Sequence, residues 1–568
     1  MNSYPLTSGC SPGARLAETV RLRQLLLLLL AAIYIFPGLT GHDPWKQDET
    51  YVTSIVAHLE RTHDWVVPLS AGLPFLEKPP LYFAVAELSA DIFASRLPLH
   101  DAARLANALW MGIVFACTAL AARRSWHKIA HVGGTAMMVL MASFGLVLHA
   151  HLLVVDAALL AGFAVALLGF ATLDDRPLQG ALLLGTGVGI GFLAKGLLAP
   201  GCFGLTALLL PALLRTWRTR AYARALALAL AACLPWMIVW PVALYMRAPA
   251  LFDEWLWQQN LGRFFGFADL GARPESWYYA RTLPWFAFPA LPLAAWTLWR
   301  RRTGWLDDRP LQFYVVLTIV IVAVLSLARS MRALYLLPAL LPMSVLASAE
   351  AASLPDALQC DLAVAGYVLF GLAALALWGL CLAVAVNASL PPWLPLGAWL
   401  PLDAAPRIPP FALAIAAAGT VAWTVTFPQV LHSRTAAVST CALGVTLVWL
   451  LLATLWMPWI NTAKSYRAMF DEMRLHLPNK FDCINSIHLG ESEAAMLDYE
   501  GGIVAVPLER FSNARCDLVW VQDNQADRSD PPDPTWTLLW SGHRPGDSKE
   551  RHRLFARQPV KATVKTGG

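Results

Sequence analysis

The residues best suited to chemistry fall in two short clusters between Asp43 and Tyr82: Asp48-Glu49, and Glu77-Lys78-Pro79-Pro80. A carboxylate pair can act as a general base or hold a cation. Asp48 and Glu49 could thus hold a divalent metal ion, Mg²⁺, Mn²⁺ or Zn²⁺; the same pair also suits the start of a helix over 50–63, where the dipole favours acids. In the second cluster Lys78 offers a compact positive charge that Glu77 can orient, and the two prolines stiffen the backbone ahead of a helix. An ammonium presented this rigidly suits the neutralisation of a departing phosphate. A solvated ion pair on a stiff turn is the plainer account of the same residues.

Further candidates are spread along the chain. Asp156 lies in an otherwise apolar stretch, where an ionisable side chain is a functional candidate by default, and His149 is seven residues earlier on the same helical face. Lys195 precedes Gly196 near a span end, where a lysine can also snorkel. Arg329 and Arg332 approach Tyr335, a combination able to clamp a phosphate. Arg263 sits in a loop rich in aromatic residues, with Glu275 and two glutamines, which suits a polar headgroup; tryptophans and tyrosines there also form an interfacial belt. No Ser-His-Asp order, HExxH or P-loop is present. The inventory supports acid/base chemistry on a phosphorylated substrate.

The elements that must position these residues are helices in a membrane. Of 568 residues, 57% are hydrophobic and 14% charged, against about a quarter charged in soluble proteins, and mean hydropathy is +0.52. Apolar runs predict about thirteen spans, near 22–40, 103–121, 129–148, 150–172, 178–196, 198–215, 222–246, 281–299, 311–328, 331–350, 361–387, 410–427 and 436–456. The leucine run Leu25–Leu30 follows Arg15, Arg21 and Arg23 and lacks a small-residue cleavage site, which reads as an uncleaved first span with a cytoplasmic N-terminus. Residues 80–96 are interrupted by Glu87, Asp91 and Arg96 and read as an amphipathic interfacial helix. With that choice the basic loops Ala121–Lys128, Arg215–Arg224 and Arg300–Arg302 are cytoplasmic, as the positive-inside rule requires. The segments Asp43–Arg96 and Met246–Ala280, and everything after Trp459, are then outside.

After Asn461 the composition turns soluble. CINSIHL, GIVAVPL and CDLVWV read as strands and ESEAAMLDYE as a helix, so the expected division is a membrane unit, 1–460, and a small α/β domain, 461–568. Cys483 and Cys516 there either form a disulfide or remain buried thiols. The tail VKATVKTGG reads as disordered. The net charge of +5 resides in short loops and does not mark a nucleic-acid binder.

In order along the chain, the Asp48-Glu49 pair, the Asp64-Trp65-Val66-Val67-Pro68 stretch, LEKPPLY ending at Tyr82, Arg104-Leu105, Asp156, Lys195-Gly196, NLGRF around Arg263, PESWYY, and RALYLLPALLP resemble the GT-C glycosyltransferases of the protein-mannosyltransferase-like family. Within it the sequence looks most like the aminoarabinose transferases that modify lipid A, and HLGESEAAMLDYEGG is similar to their periplasmic domain. The resemblance implies a GT-C fold in a bacterial inner membrane with a periplasmic site. It also implies an undecaprenyl-phosphate-linked sugar donor, inverting transfer, and lipid A or another envelope acceptor. Asp48 matches the family's first-loop acid, Lys78 a lysine near a substrate phosphate, and Arg263 an arginine of the later periplasmic loop; Tyr51 and Tyr82 fall in the same motifs. This chain departs from the pattern in having Tyr51 where an arginine is usual, and an arginine-rich ARSMRALY where a lysine is usual. An enzyme acting on protein or another glycan is the alternative, and a lipid-linked sugar flippase a more distant one.

Overall fold

A computed structural model describes residues 12–267, 275, 277–386, 396–398, 400–401, 407–511, 515–524, 535–547 and 549–557. The expected disordered tail and part of the PESWYY stretch lie outside the described residues. Among the described residues eight helices are long and apolar enough to cross a membrane, and three shorter apolar helices accompany them.

The first half of the chain builds the frame of the site. Its helices are α1 (Pro12–Ile35), α2 (Asp48–Thr62), α3 (Leu81–Phe93), α4 (Leu99–Arg104), α5 (Ala106–Ser125), α6 (Val132–Ala142), α7 (Phe144–His149), α8 (Asp156–Thr172), α9 (Pro177–Lys195), α10 (Leu198–Leu213) and α11 (Arg220–Arg247). Between α2 and α3 a minimal hairpin pairs β1 (Leu69–Ser70) with β2 (Leu73–Pro74). The segment expected at the interface is α3, which is not among the eight long apolar helices.

Several expected spans are broken rather than continuous. The run over 129–148 is interrupted at Ser143, and that over 150–172 becomes helical only at Asp156. The run over 281–299 divides into Tyr278–Phe286 and Ala290–Arg301. Pro289, which has no N–H to donate, stands in that gap, and the Phe288 carbonyl instead accepts from Phe144 N at 3.2 Å. A count of apolar runs cannot see such breaks, and among the described residues eight helices rather than thirteen are long and apolar enough to span by themselves.

Two contacts set the geometry of the face that carries Asp48 and Lys195. The helices α8 and α9 pack through glycines: a Cβ on Gly162 would lie 2.6 Å from Gly191 N and 2.7 Å from Gly187 O. Small residues let membrane helices approach this closely, and the antiparallel pair brings the start of α8 beside the end of α9. The second contact is a buried polar knot. Arg104, fully buried, donates to Glu49 at 2.9 Å, Asp101 at 2.7 Å and the Leu39 carbonyl at 3.1 Å. Glu49 in turn accepts from Leu153 N at 2.8 Å and Trp45 N at 3.1 Å. One guanidinium thereby ties the first loop to α4 and to the turn before α8.

The C-terminal part forms a five-stranded sheet in the order β4 (Val506–Pro507), β3 (Ile484–Ile487), β5 (Leu518–Asn524), β7 (Glu550–Arg557), β6 (Trp536–Gly542). The strand β3 runs parallel to both neighbours, while β5, β7 and β6 are antiparallel. Trp520, Phe470, Tyr466 and Leu554 share a separate buried cluster. Cys483 and Cys516 form a disulfide. GIVAVPL yields only the two-residue edge strand β4, as befits a proline without an N–H to extend the ladder; β6 and β7 were not expected.

This sheet unit grips the membrane part beside the first loop. Lys46 donates to Glu493 at 2.6 Å and Glu550 at 2.9 Å, Arg467 to Asp43 at 2.7 Å, and Ser54 to Asp498 at 3.2 Å.

Candidate active site

Asp48 opens α2 and is grasped by Arg332 from the turn before the helix Leu337–Glu350. The contact is bidentate, Nη1 to Oδ1 at 3.0 Å and Nη2 to Oδ2 at 2.7 Å, and the Tyr51 hydroxyl donates to Oδ1 at 2.9 Å from one turn along the helix. Burial alone would push the Asp48 carboxyl up, but the guanidinium and the phenol outweigh it and hold the group below the usual carboxylate range. Asp48 is ionised at neutral pH and still partly accessible, its side chain 13% exposed.

Next to it, the Glu77 carboxylate is shared by the Lys78 ammonium and the Arg263 guanidinium. Burial opposes ionisation here too, and the two cations override it, so Glu77 is held well below its ordinary range. Arg263 reaches Glu77 from the end of the stretch Glu254–Gly262, which is wound as a π-helix, a form frequent at functional sites. Its Nε is buried with no hydrogen-bond partner. A third ion pair comes from the glycine-packed helices: Lys195 at the end of α9 donates to Asp156 at the start of α8, at 2.5 Å. Each charge also suits its helix end. The Lys195 ammonium lies 4.0 Å from the centre of the Tyr335 ring, a cation–π contact.

The Glu77 cluster and Lys195 border a cavity of about 430 Å³. Glu77, Lys78, Lys195 and Arg263 give it a charged lining beside Tyr335, and the rest is largely apolar, drawn from Leu198 and Leu205 of α10 and Val324 and Leu325 of the helix Arg309–Leu327. The geometry can hold an anion at a place continuous with an apolar groove.

Other expected site residues stand elsewhere. Glu49 does not accompany Asp48 into the site: it is 2% exposed and bound within the Arg104 knot. The pair is therefore divided, with Asp48 on Arg332 and Glu49 on Arg104, and does not fit as a joint metal ligand. Among the described residues no group of three or more His, Cys, Asp or Glu is placed to hold a metal ion. Tyr82 is fully buried, its hydroxyl donating to Asn107 at 2.8 Å. Arg329 is exposed, packs its stem against Gly266, and has no ion pair among the described residues. His149 is committed through Nδ1 to the Gly145 carbonyl at 2.8 Å.

One carboxylate at the site was not anticipated. Glu491 begins the helix Glu491–Gly501 of the sheet unit, and Ser492 next to it donates to the Gln47 carbonyl at 3.2 Å, one residue before Asp48. Glu491 is accessible to solvent, yet it stands in a recess where burial first, and then the charge of Glu77, push its carboxyl up to about 7 against the opposing pull of Lys78 and Arg263. The only signal in the sequence was an acidic helix start, which is commonplace.

The fold is of the GT-C kind, shared with two solved structures. It matches the crystal structure of ArnT from Cupriavidus metallidurans bound to undecaprenyl phosphate, with a TM-score of 0.65 at 17% identity over 94% of this chain and 98% of that one. The archaeal oligosaccharyltransferase AglB from Archaeoglobus fulgidus also matches, with a TM-score of 0.50 at 10% identity over 89% of this chain and 70% of that one. In sequence, residues 77–240 match the family described as dolichyl-phosphate-mannose-protein mannosyltransferase. The chain is 31% identical over 336 residues, 57% of its own length, to the undecaprenyl phosphate-alpha-4-amino-4-deoxy-L-arabinose arabinosyl transferase of Pseudomonas aeruginosa strain LESB58. It is 26% identical over 365 residues, 61% of its length, to the enzyme of the same name from Serratia proteamaculans. The chain spans 58% of the first of these relatives and 62% of the second.

Proposed function

We propose that this protein is a glycosyltransferase that takes a sugar from a polyprenyl-phosphate donor, undecaprenyl-linked in a bacterium, and transfers it with inversion to an envelope acceptor. The preferred pair is 4-amino-4-deoxy-L-arabinose, or a related sugar, and a lipid A phosphate. The observation that carries this reading is the cavity, in which a cluster of cations adjoins an apolar groove between two membrane helices, as a phosphate on a prenyl chain requires. The names of the relatives from Pseudomonas aeruginosa and Serratia proteamaculans support the donor and the sugar.

In this reading Lys78 and Arg263 hold the donor phosphate, with Glu77 fixing both. As the bond from the sugar's anomeric carbon to the phosphate oxygen breaks, its electron pair stays on that oxygen and the phosphate gains a negative charge. Lys78, Arg263, Lys195 and Arg332 face only Glu77, Asp156 and Asp48 in their ion pairs, an excess of one positive charge before Glu491 is counted. Such preorganised charge favours the transition state over the donor. The acceptor oxygen forms the new bond from the opposite side. A hydroxyl acceptor passes its proton to Asp48; a phosphate acceptor has none to lose, and Asp48 with Arg332 then positions it.

The same proposal sets the protein in the inner membrane, with the site and a soluble domain, 461–568, on the periplasmic side of a membrane domain, 1–460. Its support is that the basic loops Ala121–Lys128 and Arg215–Arg224 follow helices that lead away from the site. The test is mass spectrometry of lipid A from cells with and without the gene. Loss of a pentosamine increment is the expected result. An unchanged spectrum would remove lipid A as acceptor and direct the search to proteins or other glycans.

A further inference from the structure

The start of α2, which carries Asp48, is also where the sheet unit meets the first loop. The helix Glu491–Gly501 lies along α2 and runs with it: Ser492 donates to the Gln47 carbonyl at 3.2 Å, and further along both helices Ser54 donates to Asp498 at 3.2 Å. The two helices are therefore parallel, with their starts side by side. The Gln47 carbonyl also accepts from the Thr50 hydroxyl at 2.7 Å, so the residue next to Asp48 is held from both units.

Two residues before Asp48, the Lys46 ammonium is enclosed by two acids of the sheet unit, 2.6 Å from Glu493 and 2.9 Å from Glu550. One belongs to the helix beside α2 and the other to the start of β7, so a single side chain gathers both elements onto the first loop. The acids are 1% and 9% exposed. The Tyr466 hydroxyl donates to Glu493 at 2.7 Å and the Gln522 amide to Glu550 at 2.9 Å. His552 stands 3.8 Å from Glu550, and among the described residues no second lysine or arginine pairs with either acid. Without Lys46, two buried carboxylates would share one recess with no fixed cation between them, which is strongly unfavourable. The other charged bridge to the first loop differs in kind. Arg467 reaches Asp43 at 2.7 Å and Glu500 at 3.1 Å, but its side chain is 47% exposed, and an ion pair so open to water contributes little.

We propose that Lys46 is a positioning residue: it locks the sheet unit onto the first loop and, through Gln47, fixes the start of α2 so that Asp48 meets Arg332 and Tyr51. This role rests on the proposed reading of Asp48 as a working group of the site. It makes the sheet unit part of the frame that sets the chemistry, since a small displacement of a reacting group is costly to rate. Lys46 itself contacts neither the cavity nor Asp48, so its loss should spare donor binding.

The test pairs two measurements on the full chain in detergent: hydrogen exchange of the backbone at the start of α2, which reports local opening, and transfer from a polyprenyl-phosphate sugar. Lys46→Met is expected to speed exchange there and to lower kcat about tenfold or more, with the donor KM close to that of the parent. Lys46→Arg, which keeps the charge, should restore most of both. Arg467→Gln, which breaks the exposed bridge, should behave like the parent. Parent-like exchange and kcat in Lys46→Met would overturn the proposal. So would an equal effect of Arg467→Gln, which would make docking in general responsible, or a Lys46→Arg protein that folds but is not rescued. Should Lys46→Met fail to fold, Glu550→Gln leaves Lys46 on Glu493 and is the milder variant; it should shift both readouts in the same direction, and parent-like values would overturn the proposal. If the parent transfers no sugar from such donors, it is the transferase reading that fails, and the exchange comparison still decides the role of Lys46.

Discussion

Asp48 and Arg332 form a two-point ion pair across 284 residues of sequence, with separations of 3.0 and 2.7 Å. The pair fills a role that local sequence leaves open. Where an arginine is usual three residues after the acid, this chain has Tyr51, whose hydroxyl also binds Asp48; the guanidinium arrives instead from a distant turn. Arg332→Lys keeps a charge but loses the planar fork. Transfer is expected to fall about tenfold to a hundredfold, chiefly in kcat, because a misplaced reacting group costs about that much. Single-turnover kinetics with saturating donor would check it.

Asp48→Asn separates the two kinds of acceptor. Transfer to a hydroxyl should be abolished, whereas transfer to a phosphate should only weaken, since no proton has to be removed. A parallel assay with both acceptors decides it, and complete loss with both would refute the division of roles.

Glu49→Gln and Arg104→Met should act on folding, not chemistry. Arg104→Met leaves Glu49 buried without its counter-ion, which costs about 3–5 kcal/mol; in Glu49→Gln the guanidinium keeps Asp101 at 2.7 Å, so the loss should be smaller. The expected signature is a lowered unfolding midpoint and poor yield, with residual folded protein turning over at a near-normal kcat.

Glu491 predicts a pH effect. Its folded value of about 7 lies above its ordinary range, so between about pH 4.5 and 7 the folded state binds more protons than the unfolded chain, and stability declines as pH rises through that interval. Glu491→Gln should flatten the decline in unfolding midpoint across this range. A variant with the parent's slope would show that Glu491 is not the group responsible.

Residue type alone pointed to Asp48, Lys78, Asp156, Lys195 and Arg263, because charges beside apolar helices are rare. Glu77 was legible as the partner of its neighbour Lys78, but the other pairings were not: Arg263 reaches the same Glu77 through a π-helical loop, and Lys195 meets Asp156 through glycines buried between two helices. Glu49 misled for a simple reason. Neighbouring residues on a helix point about 100° apart, and here Asp48 turns to Arg332 while Glu49 turns into the buried Arg104 knot. Tyr82 belongs to a conspicuous motif but points into the core. Glu491 was invisible because its position depends on how the sheet unit docks, through Lys46 and Ser492, on the first loop.

The groove between α10 and the helix Arg309–Leu327 gives its occupant an address within the bilayer. A ligand that enters there diffuses in two dimensions, and its effective concentration is a mole fraction among lipids. Adding inert detergent or lipid dilutes such a substrate even when the amount per millilitre is unchanged. On the proposed reading, saturation of this protein is set by how crowded the membrane is with donor, and altering the lipid supply would throttle it without touching the polypeptide.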